Sequence, residues 1–366
     1  MSMANAIEVK QTEPLVSIIV NNFNYAPFLV AAIDSALKQT YPHLEVIVVD
    51  DGSTDRSREI ISSYGDRIVP VLKANGGQAS SFNHGFAIAQ GEIILFLDSD
   101  DMLQPDIVAE VVSTFQSHLN AVKVQYHLQV IDADNNLKDE IHPPLNYYLP
   151  TNLPLHILNF YNYNWPPTSG NAFRSSMLRQ ILPMPTTSHR IAADAYLNLV
   201  GALYGDVVPL HRVGGWYRVH GQNGFYFKNN QVNLAQLQQM ISVTTEIQTK
   251  QRELFREIHH IDAKIIGRWD LGTLKNKTIL LKLNPQTCSL PDQLLRLCLQ
   301  GSIATVRGAV GWRARILHLV WFSTVPFASP EMALLLTNFL LYPEFRRQRV
   351  SQFLMSCRLL QKSHIP

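Results

Sequence analysis

The sequence predicts an α/β fold, in which a mostly parallel sheet carries helices on both faces and a helical C-terminal region follows. Short apolar and β-branched runs alternate with helical patterns in the first half of the chain, and clusters of aspartates follow two of these runs. The C-terminal part instead contains amphipathic patterns broken by prolines. Strands that alternate with helices of this length indicate parallel strands joined by right-handed crossovers.

The first hundred or so residues contain predicted strands and helices in strict alternation. The strands are short apolar runs, as expected of parallel strands that are buried on both faces. Pro27 suits the first position of a helix, and Asp55 lies among turn and cap residues that precede another helix. The predicted strands cover residues 15–20, 45–49, 68–72 and 92–97, and the predicted helices cover residues 27–39, a segment ending near 63, and 78–89.

The remaining chain is less regular. We predict a further strand over residues 122–131, a helix over 188–204 with Asp194 near its start, and a glycine-flanked loop over 214–224 that carries Arg218 and His220. Polar helices are predicted over 231–266, and amphipathic helices over 294–362 are interrupted at Pro326, Pro330 and Pro343. The domain boundary is placed near residue 228, with a catalytic domain at 14–228 and a helical region at 229–366.

Composition excludes several classes of protein. The chain has 366 residues, enough for roughly two domains. Its 31 basic and 29 acidic residues give a net charge of +2, so nucleic acid is not expected as a partner. Charged residues make up 16% of the chain and hydrophobic residues 46%, which indicates a globular, slightly hydrophobic protein and leaves contact with an apolar surface open.

Cysteine usage and the N-terminal residues indicate the compartment. The three cysteines lie late in the chain without a CxxC pair, so neither a disulfide framework nor a cysteine zinc site is predicted. The first 14 residues contain charges and no apolar segment typical of a secretory signal. We therefore expect a cytoplasmic protein. The run at 316–343 is too interrupted for a spanning helix.

Two clusters of carboxylates follow predicted strands, one at Asp50-Asp51 and one at Asp98-Ser99-Asp100-Asp101. Ligands of such sheets bind beyond the carboxyl ends of the strands, so the two clusters are candidates for one crevice. Carboxylates of this kind suit Mg²⁺ or Mn²⁺, which bind through one or two carboxylates together with substrate phosphates. The alternative is that these aspartates only cap helices and turns.

Several motifs together resemble family 2 of the nucleotide-sugar glycosyltransferases, which have the GT-A fold. The resemblance covers about residues 15–225. It rests on the order and spacing of VSIIVNNFNY, SALKQTYPHLEVIVVDDGSTD, NGGQASSFNHGFAIAQGEIILFLDSDDMLQPD, ADAYLNLVGALYGDV and WYRVHGQN. It implies a nucleoside-diphosphate sugar as donor, of the UDP or dTDP type, and a Rossmann-like catalytic domain.

The resemblance also implies roles for individual donor-binding residues. Asn21 and Phe23 would lie beside the base and ribose, and Asp51 would accept a hydrogen bond from a pyrimidine ring. Asp98 would contact the ribose or the donor sugar. Asp100 would hold a divalent cation that bridges the two phosphates.

The same resemblance makes Asp194 the base that takes the proton of the acceptor hydroxyl, so that direct displacement inverts the anomeric centre. The alternative is an aspartate that is stabilised by the helix N-terminus. His220 is a candidate metal ligand or diphosphate contact, or an ordinary hydrogen-bonded histidine. Arg218 is predicted to contact the donor phosphates or to pair with a structural carboxylate.

Departures from the family pattern bear on the type of transfer. Asn21-Asn22 stands where the family often has Pro-Thr, and Phe23 replaces a common tyrosine. Ile265 precedes Arg268-Trp269 where processive synthases have the glutamine of QxxRW. Together with the lack of clear spanning helices, this favours an enzyme that adds one sugar.

The C-terminal region combines arginines with Trp312, Trp321, Phe322 and leucine runs. This composition suits either a peripheral helix on an anionic membrane, where a lipid-linked saccharide would be the acceptor, or an ordinary helical subdomain or dimer interface. The sequence thus predicts a metal-dependent inverting glycosyltransferase acting in cell-surface polysaccharide or glycolipid assembly. The alternatives are a non-catalytic nucleotide-sugar binding protein and a sugar nucleotidyltransferase.

Overall fold

A computed structural model describes residues 13–187, 189–190, 192–221, 223, 234–263, 266–267, 269–284, 291–308 and 311–341. The chain divides into two compact units. The first comprises the residues up to Leu149 together with Asn164–His220, and the second comprises Pro150–Tyr163 together with the residues from Gly221 on. Residue 228, the predicted boundary, lies outside the described residues.

The described residues form nine strands and twelve α-helices. The strands are β1 Val16–Asn22, β2 Leu44–Asp50, β3 Val69–Leu72, β4 Ile93–Asp98, β5 Met102–Leu103, β6 Ala121–Asp132, β7 Leu137–His142, β8 Asn171–Arg174 and β9 Asp206–Val219. The helices are α1 Ala26–Leu37, α2 Ser57–Ser63, α3 Gln78–Ile88, α4 Ile107–Ser117, α5 Leu153–Phe160, α6 Ser175–Ile181, α7 Ala193–Gly201, α8 Leu234–Glu257, α9 Leu271–Leu283, α10 Pro291–Arg307, α11 Trp312–Thr324 and α12 Pro330–Leu341.

The strands of the first unit form one mixed sheet. Its order is β3-β2-β1-β4-β8-β6-β9-β5, and β7 pairs with β6. Strands β3, β2, β1 and β4 run parallel, whereas β8 is antiparallel to both β4 and β6. The predicted α/β architecture is confirmed, and all the strands and helices predicted before residue 98 are present.

The core of the first unit explains why β1 occupies the middle of the sheet. Its run of Ile18, Ile19 and Val20 is fully buried, so both faces of the strand are covered. On one side the sheet packs against the apolar stripe of α1, including Leu29 and Ile33. On the other side α3 approaches β1 closely, because a Cβ atom at Gly85 would lie 2.5 Å from Cγ2 of Ile19.

Two predictions on secondary structure are wrong. The helix predicted over 188–204 begins only at Ala193, because Ala192 has a φ of 60° in the left-handed region, which a right-handed helix cannot include. The predicted loop over 214–224 is strand as far as Val219, since this segment pairs in parallel with β6. Tertiary pairing overrides the turn preference of the two glycines there. Helices α4, α5, α6 and α9 and strands β5, β7 and β8 were not predicted.

The second unit is helical. Residues of α8, α9, α10, α11 and α12 share one buried cluster, in which Gly301 of α10 lies against the ring of Phe322. As predicted, Pro326 and Pro330 interrupt the helices, and Pro330 begins α12. Pro343 lies outside the described residues. Within the described part of the chain, no helix is long and apolar enough to cross a membrane.

Candidate active site

The parallel register of the sheet brings polar side chains together at one edge. Asn21 is the register partner of Asp98, and its Nδ2 atom donates to Asp98 Oδ1 over 2.7 Å. Asn22 is the register partner of Asp50, and its Nδ2 atom donates to Asp50 Oδ1 over 3.0 Å. Both asparagines thus stabilise the ionised carboxylates on the adjacent strand ends by hydrogen bonds. These hydrogen bonds explain why asparagines occupy the two positions where the family often has Pro-Thr.

Asp50 and Asp51 have different surroundings although they are consecutive. Asp50 is fully buried and accepts from Arg58 Nε over 2.8 Å. These contacts outweigh burial and hold the pKa of Asp50 below its ordinary value. Asp50 therefore has a structural role.

Asp51 holds the loop that leads into α3. Its carboxylate pairs with Lys73 and accepts from the backbone N–H groups of Gly76 over 2.8 Å and Gly77 over 2.7 Å. Gly77 has a φ of +87°, which favours glycine, and a Cβ atom there would lie 2.7 Å from the backbone of Arg190. Asp51 thus fixes a tight loop beside the strand ends, and its contact with a pyrimidine stays a prediction.

Gln78 links the carboxylate of Asp98 to the backbone at the start of the helix that carries Asp194. Its Nε2 atom donates to Asp98 Oδ1 over 3.3 Å, and its Oε1 atom accepts from the backbone N–H of Ala193 over 3.0 Å. Asp194 follows directly in the first turn of α7. One side chain therefore ties the end of β4 to the start of α7.

The Asp98 to Asp101 loop concentrates negative charge in a buried place. Burial and the neighbouring Asp100 raise the pKa of both Asp98 and Asp101 above the ordinary carboxyl value. Asp101 accepts from Ser169 Oγ over 2.6 Å and from the backbone N–H of Arg218 over 2.9 Å. Such a cluster favours the binding of a cation.

Asp100 and His220 lie in direct contact. His220 Nε2 is 3.0 Å from Asp100 Oδ2. The imidazole packs between the rings of Tyr25 and Phe28, with centroid distances of 5.2 and 4.7 Å. The structure thus brings together the two residues that the sequence analysis proposed as metal ligands.

Arg218 is turned toward the backbone around this loop. Its Nε atom donates to the carbonyl of Asp100 over 2.8 Å, and Nη1 donates to the carbonyls of Asp132 and Ala133. The side chain is buried, and its guanidinium lies 4.9 Å from the ring centroid of Phe28. These contacts favour a role in positioning Asp100, and the predicted contact with donor phosphates stays a prediction.

Asp194 is half-buried in the first turn of α7, and Oδ1 accepts from the backbone N–H of Ala195 over 2.9 Å. Burial raises the pKa of this carboxyl above its ordinary value, against an opposing attraction from Lys123. The negative charge of Asp194 in turn contributes to the raised pKa values of Asp98 and Tyr217. Asp194 therefore belongs to the same electrostatic environment as the Asp98 loop.

Phe23 lies at the start of the loop after β1 and is 43% exposed. An exposed aromatic ring next to a polar strand end is available for stacking against a planar group. The ring is not part of the buried core of the sheet, so core packing does not explain why this residue is aromatic.

The donor set fits a divalent cation. Asp100 and His220 offer oxygen and nitrogen ligands. Two side-chain oxygens are buried with no hydrogen-bond partner: Ser99 Oγ, next to Asp100 in the chain, and Oδ1 of Asn21, whose amide bonds to Asp98. Across the described ranges, no group of three or more His, Cys, Asp or Glu residues forms a metal site by itself. Two protein ligands agree with the usual binding of Mg²⁺, which completes its shell with phosphate oxygens and water.

Sequence reasoning missed several residues of this region. Gln78, Lys73, Asp101 and Lys123 contact or electrostatically affect predicted site residues. Asp101 belonged to a recognised acidic cluster, and Lys73 precedes the Asn75-Gly76-Gly77 turn, so both had a local signal. Gln78 and Lys123 had none, because their partners are distant in the chain.

The chain was then compared with known proteins. Residues 17–181 match the family described as glycosyl transferase family 2. An uncharacterized glycosyltransferase of Nostoc sp. is 38% identical over 213 residues, which are 57% of this chain and 66% of that relative. An uncharacterized glycosyltransferase of Rickettsia typhi is 37% identical over 37% of this chain and 42% of its own length. Residues 17–181 belong to glycosyl transferase family 2.

Solved structures share the fold of this chain. The crystal structure of residues 1–349 of S. aureus TarS in complex with UDP-GlcNAc matches with a TM-score of 0.51 and 15% identity, over 91% of this chain and 92% of that chain. The crystal structure of S. aureus TarS 1–349 alone gives the same TM-score, with 16% identity over 91% of each chain. At this level of identity the likeness confirms the GT-A fold.

Proposed function

We propose that this protein transfers one sugar from a nucleoside-diphosphate sugar, of the UDP or dTDP type, to a hydroxyl acceptor with inversion at the anomeric carbon. The observation that carries the proposal is the Gln78 bridge, because it ties the carboxylate of Asp98 to the helix turn that presents Asp194. A donor site and a base are then close enough to act on one substrate pair.

The donor would lie across the strand ends of β1, β2 and β4. Phe23 would stack on the base, and Asn21 and Asp51 would be its polar neighbours. Asp98 would bind the ribose or sugar hydroxyls. Asp98 suits this role because its raised pKa reflects a buried carboxylate that gains from new hydrogen-bond donors.

Asp194 would remove the proton of the acceptor hydroxyl while its oxygen attacks the anomeric carbon. The bond between that carbon and the diphosphate breaks on the opposite face, and its electron pair leaves with the nucleoside diphosphate. A half-buried carboxylate whose pKa is raised by partial burial is a stronger base near neutral pH than an exposed aspartate. A single displacement of this kind inverts the configuration.

Asp100 and His220 would hold a Mg²⁺ or Mn²⁺ ion, with Arg218 fixing the backbone of Asp100. When bound, such an ion supplies positive charge for the departing diphosphate. The protein's own part is to hold the two ligands in contact and to keep them within a buried acidic loop.

The test is a screen of UDP-, dTDP- and GDP-sugars, beginning with UDP-GlcNAc, in Mn²⁺ and in EDTA. We expect release of a nucleoside diphosphate in Mn²⁺ only. Formation of a nucleoside triphosphate and a sugar 1-phosphate when pyrophosphate is added would instead favour a nucleotidyltransferase, and binding of a nucleotide sugar without any release would favour a non-catalytic binding protein. With a hydroxyl acceptor in hand, NMR of the product's anomeric proton would report inversion or retention.

We further propose that the second unit contacts an anionic lipid surface, where a lipid-linked saccharide would be the acceptor in cell-surface polysaccharide or glycolipid assembly. Helix α10 exposes Leu295, Leu299, Ile303 and Val306 along one side, and α11 exposes Trp312, Ile316 and Val320 at helical spacing. Between Asp292 and Glu331 the chain has four arginines and no acidic residue. This charge balance complements an anionic surface.

Co-sedimentation with phosphatidylcholine vesicles, with and without phosphatidylglycerol, tests this contact. We expect binding that needs the anionic lipid and falls when Leu299→Ser and Trp312→Ser are combined. Leu137→Ser is the matched control, since Leu137 is 69% exposed on β7 of the first unit. Concentration-dependent dimers that the double variant abolishes, with no vesicle binding by the wild type, would assign these side chains to a subunit interface instead.

A further inference from the structure

Lys123 is a lysine in the middle of the sheet of the first unit. It lies on β6 with Phe173 and Val207 as register partners, and its side chain is fully buried. Lysine is almost never fully buried unless it is paired. Its position therefore calls for a partner that compensates the cost of burial.

The contacts of Lys123 lead to the helix that carries Asp194. Its Nζ atom donates to Gln125 Oε1 over 2.9 Å and to Asn198 Oδ1. Asn198 is fully buried in α7, and its Nδ2 atom donates to the carbonyl of Asp194 over 2.8 Å. One amide side chain thus connects the ammonium group to the backbone of the predicted base.

Lys123 also acts on Asp194 through its charge. Burial holds the pKa of Lys123 well below its ordinary value, and the charge of Asp194 opposes that effect. Burial raises the pKa of Asp194, and the charge of Lys123 opposes that rise. The two groups are therefore near enough to stabilise each other's charged forms in a medium of low dielectric constant.

Of the described residues, Lys123 is the cation that acts on the pKa of Asp194. Asp98 on β4 and Tyr217 on β9 interact with Asp194 electrostatically, and neither carries positive charge. Helices α3 and α6 pack against α7. In α3, the ring of His84 bonds to the backbone carbonyl of Ser80. In α6, the guanidinium of Arg179 donates to Ser175 Oγ.

We propose that Lys123 is a positioning residue for Asp194, which orients the first turn of α7 through Asn198 and keeps the carboxylate of Asp194 ionised. A catalytic role for Lys123 rests on the proposed function, in which Asp194 is the base. The physical link between the two side chains can be measured without turnover.

The direct test is the pKa of Asp194 in metal-free protein, measured by NMR of ¹³C-labelled aspartate carboxyl groups. The resonance is identified by its loss in Asp194→Asn. In Lys123→Met, a neutral side chain of similar length, we expect the pKa of Asp194 to rise by about one unit. Lys38→Met is the matched control, because it removes a lysine of the same unit whose side chain is 71% exposed, and it should leave the pKa unchanged.

A second variant keeps the test decisive if Lys123→Met does not fold. Lys123→Gln keeps a polar end that can donate to Asn198 but carries no charge, so the pKa of Asp194 should again rise. An unchanged pKa of Asp194 in the folded variant overturns the proposal.

The kinetic readout separates this role from a structural one. Once a donor is known, Lys123→Met should move the acidic limb of the pH profile for nucleoside diphosphate release upward by the same amount, with UDP affinity unchanged. If Lys123→Met lowers the melting temperature but leaves the acidic limb of the pH profile where it is in the wild type, Lys123 only stabilises the fold. If Asp194→Asn keeps wild-type turnover, the proposed base is wrong, yet the NMR titration still decides whether Lys123 governs the carboxyl.

Discussion

His220 Nε2 lies 3.0 Å from Asp100 Oδ2, although 120 positions separate the two residues in the chain. Strand β9 makes this contact possible, because it runs parallel to β6 and ends at Val219, directly before His220. The pair is therefore assembled by the sheet and not by a local motif. Its neighbours Arg218 and Asp101 join the same two segments, through the backbone N–H of Arg218.

Removal of one member of this pair should weaken metal binding and metal-dependent turnover together. We expect Asp100→Ala to abolish Mn²⁺-dependent release of nucleoside diphosphate, and His220→Ala to lower it less, because a carboxylate is the stronger ligand for such a cation. Isothermal titration with MnCl₂ in the presence of UDP gives the affinity. Glu59→Ala, which removes an exposed carboxylate of α2, is the control. Full Mn²⁺-dependent activity in Asp100→Ala would remove the residue from the proposed site.

Replacement of the predicted base should separate binding from transfer. Asp194→Asn keeps the size of the side chain and should leave UDP affinity within about twofold of wild type, because the donor is assigned to other residues. Turnover should fall by roughly 10²- to 10⁴-fold, the range typical of a general base. Wild-type turnover in this variant would contradict the mechanism.

The rate should depend on pH through Asp194. A base acts in its deprotonated form, and burial raises the pKa of Asp194 above the ordinary carboxyl value. The rate should therefore be highest above the raised pKa and fall as pH decreases through it, at a pH above the roughly 4 of an exposed aspartate. A pH profile of nucleoside diphosphate release from pH 4 to 9 measures this limb. A rate that stays constant down to pH 4 is inconsistent with the assignment.

Arg218→Met should destabilise the first unit. The substitution leaves the carbonyls of Asp100, Asp132 and Ala133 without their donor and removes a positive charge from a buried acidic loop. We expect a loss of about 3 kcal/mol in the free energy of unfolding, measured by urea denaturation. Arg56→Met is the control, since the side chain of Arg56 is 82% exposed and its surface ion pair contributes less than about 1 kcal/mol. Equal stability of the two variants would contradict the positioning role.

Gly77→Ala should disturb both the fold and donor binding. The residue has a φ of +87°, and a Cβ atom would lie 2.7 Å from the backbone of Arg190. We expect a loss of at least about 2 kcal/mol in the free energy of unfolding, with weaker UDP binding because Gly77 N–H also bonds to Asp51. In Gly65→Ala, where φ is +54° but no atom lies within 4 Å, only the backbone cost of about 1 kcal/mol should remain. Similar losses of stability in both variants would show that the backbone of Arg190 can move away from the new Cβ atom at little cost, and would contradict this prediction.

Much of the first unit could be predicted from the sequence because its signals are local. Buried strands such as β1 and β4 are continuous apolar runs, and each is followed by polar residues that end it. The positions of Asp98 and Asp100 at a strand end follow from this pattern alone. The strand character of Gly214 to Val219 could not be predicted, because it depends on pairing with β6 and not on the preferences of its own residues.

The sequence by itself determined the order of strands and helices, the family, and the acidic residues that lie at strand ends, since each depends on periodicity or on motifs within a few residues. Only the tertiary structure decided which partners these residues have. It showed that Asp50 is bound by Arg58 and is structural, unlike Asp51. It also showed that Arg218 donates to the backbone of Asp100 and that Lys123 contacts Asn198 on the helix of Asp194. The physical reason is that burial and charge interactions act through space, between side chains whose distance in the chain carries no signal.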